Sequence, residues 1–339
     1  MAETFLTLSA DDRRDALAVA SAATGRPAHL LEKDVWVVWA LDVLFASPFG
    51  SDLVFKGGTS LSKAYGVIRR FSEDVDLTYD IRAIAGDLVA DAQDALPPNR
   101  SQEQKWSKTI KARLAQWIQA EVAPLIQTAI DAGQLPARVR TDSEKVFIDY
   151  DPLAAGTGYV SPSVMLEFGG RATGEPWRAV PVACDAAPSL PDLMFPTATP
   201  QVMLAERTFW EKSTAIHVFC AQGRFRGADR FARHWHDVVR LDDAGYAAKA
   251  IADRALAVAV AAHKTMFFAE KDAGGEPIDY QRAVSGDLHL VPDGSALQLL
   301  ATDYERMLED GLLEDGAETF DALIVRCREI QQAANASRP

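Results

Sequence analysis

Apolar residues recur along this chain with two periods, and each change of period marks a change of element. Two stretches near the start carry helical spacing. Ser9 or Asp11 can cap the first, and Pro27 stands near the start of the second. A short apolar run over 53–55 then meets Gly57 and Gly58, which predicts a strand that turns sharply at its end. A short helix from Ser60 and a second strand over 74–77 follow. Between 101 and 132, Ile110, Leu114, Trp117, Ile118, Val122, Leu125, Ile126 and Ile130 keep helical spacing, which predicts one long helix with Pro124 as a kink point. The period drops to two over 137–140, 145–150, 160–168 and 178–183, predicting strands. Pro188, Pro191, Pro196 and Pro200 punctuate 186–200, which reads as a linker. From 201 onward the pattern is almost entirely helical. The fold class is therefore α/β: a mixed-sheet domain with N-terminal helices over 1–195, then an α-helical domain over 201–339, with a cleft expected between them.

The composition is that of an ordinary globular protein, 48% hydrophobic and 24% charged over 339 residues. Cys184, Cys220 and Cys327 are an odd number at wide spacing, which argues against a disulfide framework and for a reducing compartment. Met1 leads into an acidic start, and the apolar stretch over 35–45 is short and interrupted by Asp42. A cytoplasmic protein with no membrane partner is expected. The net charge of −13 speaks against a broad nucleic-acid grip and leaves only local basic patches. Arg100, Lys105, Lys108, Lys111 and Arg113 read as the wet face of the long helix. Arg224, Arg226, Arg230, Arg233 and Arg240, interleaved with Phe225, His234 and Trp235, form the better candidate for RNA phosphate.

The densest chemistry lies in 55–77. Gly57 and Gly58 expose backbone N–H groups at a helix start, a place that favours anions, with Thr59 and Ser60 beside them. Asp74 and Asp76 are two apart, so a strand would aim both carboxylates at one side, with Val75 and Leu77 toward the core. Two hard oxygen donors next to a phosphate-binding turn suit Mg²⁺ or Mn²⁺ and an NTP substrate. This is the order of parts that metal-dependent nucleotidyl transfer needs. Ser62, Lys63, Arg69 and Arg70 read as the hydrophilic face of the connecting helix.

Glu167 interrupts the apolar run over 164–168, where a carboxylate is costly unless paired or metal-bound, so it is the candidate third carboxylate; Asp149 is a weaker competitor. Lys212 shares a helix face with Phe209 and Ile216 and can read either as a snorkelling lysine or as a point charge for triphosphate. In the next helix Arg230, Arg233, Asp237 and Arg240 fall on one stripe, and Phe231, Trp235 and Val238 on a core stripe. The first stripe reads as a solvated salt-bridged face or as a binder of nucleotide or RNA phosphate. In the second case Asp237 would orient an arginine or Lys212, or contact the base or ribose. His234 and His236 lack further ligands at zinc spacing.

Lys56-Gly57-Gly58-Thr59-Ser60-Leu61 and Arg70-Phe71-Ser72-Glu73-Asp74-Val75-Asp76-Leu77 resemble the first motif of the AbiEii/AbiGii-type nucleotidyltransferase toxins, which include the MenT toxins. The 31–37, 166–171, 206–212, 233–237 and 263–268 stretches, and Asp303-Tyr304, resemble later parts of the same family. Ala232 departs from it, standing where the pattern often carries Ser. The resemblance implies a nucleotidyltransferase-fold domain and transfer of NMP from an NTP to an acceptor hydroxyl, in a toxin–antitoxin or phage-defence system. The implied acceptor is a tRNA 3′ end, with inhibition of translation as the result, and a cognate antitoxin is the implied partner. It also implies Asp74, Asp76 and Glu167 as metal or catalytic residues, Lys212 and Asp237 as catalytic residues, Gly57, Gly58, Thr59, Ser60 and Lys212 as nucleotide-binding, and Arg230 and Arg233 as RNA-binding. A protein or small-molecule acceptor, or a non-catalytic nucleotide-binding module, is the alternative.

Overall fold

The computed structural model describes residues 3–68, 70, 72, 74–90, 92, 94–154, 161–223, 231–309, 311–313 and 317–336. The chain forms two compact units. The first comprises 1–64, 73–90 and 106–202; the second comprises 65–72, 91–105 and 203–339.

The first unit carries the strands β1 (Glu3–Thr4), β2 (Leu53–Lys56), β3 (Val75–Tyr79), β4 (Ala137–Asp142), β5 (Lys145–Tyr150), β6 (Ser163–Gly169), β7 (Trp177–Ala179), β8 (Val182–Ala183), β9 (Leu193–Met194), β10 (Thr197–Ala198) and β11 (Gln201–Met203). Seven of them form a mixed sheet in the order β4-β5-β6-β3-β2-β11-β7. Its helices begin with α1 (Ala10–Thr24), which Ser9 caps by accepting the Asp12 N–H and Gly25 ends with a left-handed φ of 72°. Next is α2 (Ala28–Phe45), buried almost all round, whose Trp36 stacks on Tyr150 of β5 at 5.3 Å. The others are α3 (Gly57–Lys63), α4 (Ile81–Val89), α5 (Arg100–Trp117), whose residues 100–105 belong to the second unit, and α6 (Ala123–Ala132). The long helix expected over 101–132 is α5 and α6 joined through a π turn at Ile118–Val122. There the Ala123 N–H reaches back to the Ile118 carbonyl, just before Pro124, which has no N–H to give.

Two expected stretches differ from the sequence reading, and proline explains both. The strand expected over 178–183 is two strands, β7 and β8, because Pro181 cannot donate to a ladder. The stretch 186–200 is no free linker: β9 pairs in parallel with β1, and β10 antiparallel with β8. Its prolines limit each run to two residues without preventing pairing.

In the second unit, β11 leads into α7 (Ala205–Gln222), followed by α8 (Arg233–Asp243), α9 (Tyr246–Ala252), α10 (Arg254–Phe267), α11 (Tyr280–Val284), α12 (Gly294–Glu309) and α13 (Phe320–Ala336). α7 packs against α8, α9 and α10, and α13 covers α8. Two fully buried indoles lock this core by donating to carbonyls, Trp210 to Ala250 at 2.9 Å and Trp235 to Leu290 at 2.6 Å.

Candidate active site

Strand register assembles the first unit's chemistry. β2 and β3 run antiparallel with Lys56 opposite Asp76. β3 and β6 run parallel with Asp76 opposite Glu167. β6 and β5 run antiparallel with Glu167 opposite Lys145. Val75 and Leu77 are buried, as are Leu166 and Phe168, so alternation puts Asp76 and Glu167 together on the opposite, half-exposed face. Asp74 lies one residue before β3 and is half-buried. Glu167 is not in an apolar environment: its apolar neighbours in sequence point to the other face, and its carboxylate is 3.0 Å from Lys145 Nζ. The Glu167 hydrogen bond outweighs burial and raises the Lys145 ammonium pKa above its ordinary value, with Asp74 and Asp142 adding to it. Asp149 accepts from Ser163 at 2.6 Å and pairs with Arg140, a structural role.

The Gly-Gly-Thr turn closes against this row. Gly57 has a φ of 78°, and a Cβ added there would lie 2.0 Å from Asp76 Oδ2. Only glycine lets the chain pass this close to the carboxylate. The Thr59 hydroxyl donates to the Asp74 carbonyl, and the Ser60 hydroxyl to the Gly57 carbonyl at 2.9 Å; both side chains are buried. These hydroxyls brace the turn from inside. Lys63, read as a wet residue, has a side chain only 7% exposed at the end of α3, with Nζ 2.6 Å from Asp34 of α2 and 2.7 Å from Asp185. Burial would lower the Lys63 pKa, but the two carboxylates outweigh it and raise it. Asp185 also pairs with Arg26, and its backbone N–H donates to Asp34 at 2.6 Å.

A second cluster lies in the second unit. Asp237 of α8 is fully buried and accepts two hydrogen bonds from Arg70, each 2.7 Å, while Lys212 of α7 stands 2.8 Å away. Burial pushes the Asp237 carboxyl up, but Arg70 and Lys212 overcome it and hold the group well below the usual carboxylate range. Arg70 is buried too and not on a hydrophilic helix face; its partner lies 167 residues away in the chain. On the α8 stripe, Asp237 is not on a solvated face but points inward to an arginine and to Lys212, and Arg240 pairs with Glu318 and Asp243. Arg233 is half-buried at the start of α8, and Arg230, with 224–229, lies outside the described residues.

The family model for the nucleotidyl transferase AbiEii toxin of type IV toxin–antitoxin systems matches residues 39–326. The chain belongs to this family. The match runs from inside α2 into α13 and so spans both charged clusters. Among solved structures, the chain is similar to MenT4, the nucleotidyltransferase toxin Rv2826c from Mycobacterium tuberculosis H37Rv, with 20% identity over 98% of this chain and 100% of that one and a TM-score of 0.37. No curated protein matches the chain. No described helix of this AbiEii-family protein is long and apolar enough to cross a membrane.

Sequence reading missed Arg70, Lys63 and Lys145 in this AbiEii-family chain. Lys145 alone left a signal: it alternates with the apolar Val146, Ile148 and Tyr150, which puts it on a polar face.

Proposed function

We propose that this AbiEii-family protein transfers a nucleoside monophosphate from an NTP to an acceptor hydroxyl. Asp74, Asp76 and Glu167 would hold a divalent cation, Mg²⁺ or Mn²⁺. The observation that carries this reading is the pairing of Asp76 with Glu167 on an open sheet face, against a turn where only Gly57 fits. Hard carboxylate oxygens suit such a cation, which takes one or two of them and completes its shell with substrate phosphates and water. When bound, the cation supplies charge that offsets what develops on the phosphates during transfer. The acceptor hydroxyl gives up its proton to solvent as its oxygen forms a bond to the α-phosphorus, the α–β anhydride bond breaks, and pyrophosphate leaves with its electron pair. Gly57, Gly58, Thr59 and Ser60 shape the phosphate-binding turn. Lys212 is the proposed nucleotide-binding cation of the second unit, and Asp237 positions it. The tRNA 3′ end is the acceptor that the resemblance to MenT toxins implies, and Arg233 and Arg230 are the proposed RNA contacts. Family membership supports a cognate antitoxin as partner.

The test is incubation with each α-labelled NTP, Mg²⁺ and total tRNA. Label should pass to tRNA from a preferred NTP and fall by about 100-fold or more in Asp76→Asn, the scale seen when one charge-stabilising group is lost. Label on protein or a small molecule would relocate the acceptor. No transfer from any NTP to any of these acceptors would sink the reading.

A further inference from the structure

Lys56, Asp76, Glu167 and Lys145 form one row across β2, β3, β6 and β5, each in register with the next. Side chains directly opposite one another on a sheet stand about 5 Å apart at Cβ, and like charges there repel. Asp76 and Glu167 are such a like-charged pair. Glu167 is turned onto the cation at its other side, with Oε2 at 3.0 Å from Lys145 Nζ. Among the described residues, no three His, Cys, Asp or Glu side chains converge as a metal-holding set, although the strand register brings Asp76 and Glu167 side by side.

We propose that Lys145 is the built-in competitor of the divalent cation for Glu167: its ammonium holds the third carboxylate until the cation claims it. This rests on the reading of Asp74, Asp76 and Glu167 as the cation's ligands. The pair is suited to exchange. The Lys145 side chain is 39% exposed and the Glu167 side chain 46%, so packing holds neither in place. An ion pair this exposed is weak, and a doubly charged ion that also engages Asp76 can displace it. Arg140, another cation on this face, is already occupied by Asp149 and by the Phe147 ring 3.9 Å beneath it.

The test is Mn²⁺ titration, without nucleotide, by electron paramagnetic resonance of the free ion. The proteins are the unaltered chain, Lys145→Met, Lys145→Arg, Glu167→Gln, the Lys145→Met/Glu167→Gln double variant and Asp76→Asn, each checked for an unchanged melting curve. Lys145→Met should bind Mn²⁺ about two- to fivefold tighter, the scale of one exposed ion pair. Lys145→Arg should bind like the unaltered chain, and Lys145→Met should gain nothing in the Glu167→Gln background. Unchanged or weaker binding in Lys145→Met, or equal tightening in both backgrounds, overturns the competition. If Asp76→Asn and Glu167→Gln both leave Mn²⁺ binding unchanged, the cation is not held here, and the reading beneath the proposal falls with it.

Discussion

A methyl group on Gly57 would stand 2.0 Å from Asp76 Oδ2, in a residue whose φ is already 78°. Gly57→Ala should therefore cost about 1–3 kcal/mol in strain and remove most transfer activity, because the carboxylate must move. Melting curves and labelled transfer measured together check both parts; near-normal transfer would show that Asp76 tolerates displacement. Asp237 makes a different claim at the same scale. Asp237→Ala leaves Arg70 and Lys212 buried and facing one another, and should cost about 3–5 kcal/mol in urea unfolding. Lys212→Ala should cost less, because Arg70 still neutralises Asp237 through two hydrogen bonds. The Asp237 carboxyl is depressed in the folded chain, so its contribution is present above the unfolded value of about 3.9 and is lost as pH falls below it. The gap between Asp237→Ala and the unaltered protein should stay level from about pH 5 to pH 8 and narrow only below about pH 4. The sequence offered Asp237 as a residue that orients an arginine or Lys212, but not its burial or Arg70 as the arginine, because that partner lies 167 residues away.

The helix α3 has only seven residues, too short to hold itself together by propensity. It is tied at one end by Thr59 to the Asp74 carbonyl and at the other by Lys63 to Asp34 and Asp185. Lys63→Met should leave those carboxylates short of a cation and cost on the order of 3 kcal/mol. In hydrogen exchange, the α3 amides should lose protection before the strands of the sheet do. Protection lost uniformly across the first unit would mean that Lys63 supports the whole fold and not this helix. The strand β6 was legible as an element from its alternation, and Glu167 as its odd carboxylate. Its surroundings were not legible, because apolar neighbours along a strand face the other side.

At the scale of the molecule, acid should act through three histidines of the second unit, His217, His234 and His236, whose pKa values burial lowers. Burial holds the pKa of His217 and of His236 down to about 4. Neither ring nitrogen of His236 has a hydrogen-bond partner among the described residues. A lowered histidine keeps its stabilising neutral form above the unfolded value near 6.5 and loses that contribution as pH falls toward 4, on the order of 3 kcal/mol each for His217 and His236. The melting temperature should therefore fall between about pH 6.5 and pH 4. His236→Met should flatten part of this fall and be neutral or stabilising at pH 7, since it also removes two orphaned buried nitrogens. An unchanged acid slope in His236→Met would show that the imidazole reaches solvent.

Local pattern carries most of the element types, the turn at Gly57 and Gly58, the Asp74–Asp76 pair and the family resemblance, because strand and helix periods and glycine's conformational freedom act over a few neighbouring residues. Which charges are buried, and with whom, is set by the fold. Asp76 meets Glu167, and Glu167 meets Lys145, through strand register. Arg70 meets Asp237 across 167 residues of chain, and Lys63 meets Asp185 across 122. A charge can be buried only where an opposite charge offsets its lost hydration, and that partner is supplied by the fold, not by the residues beside it in sequence.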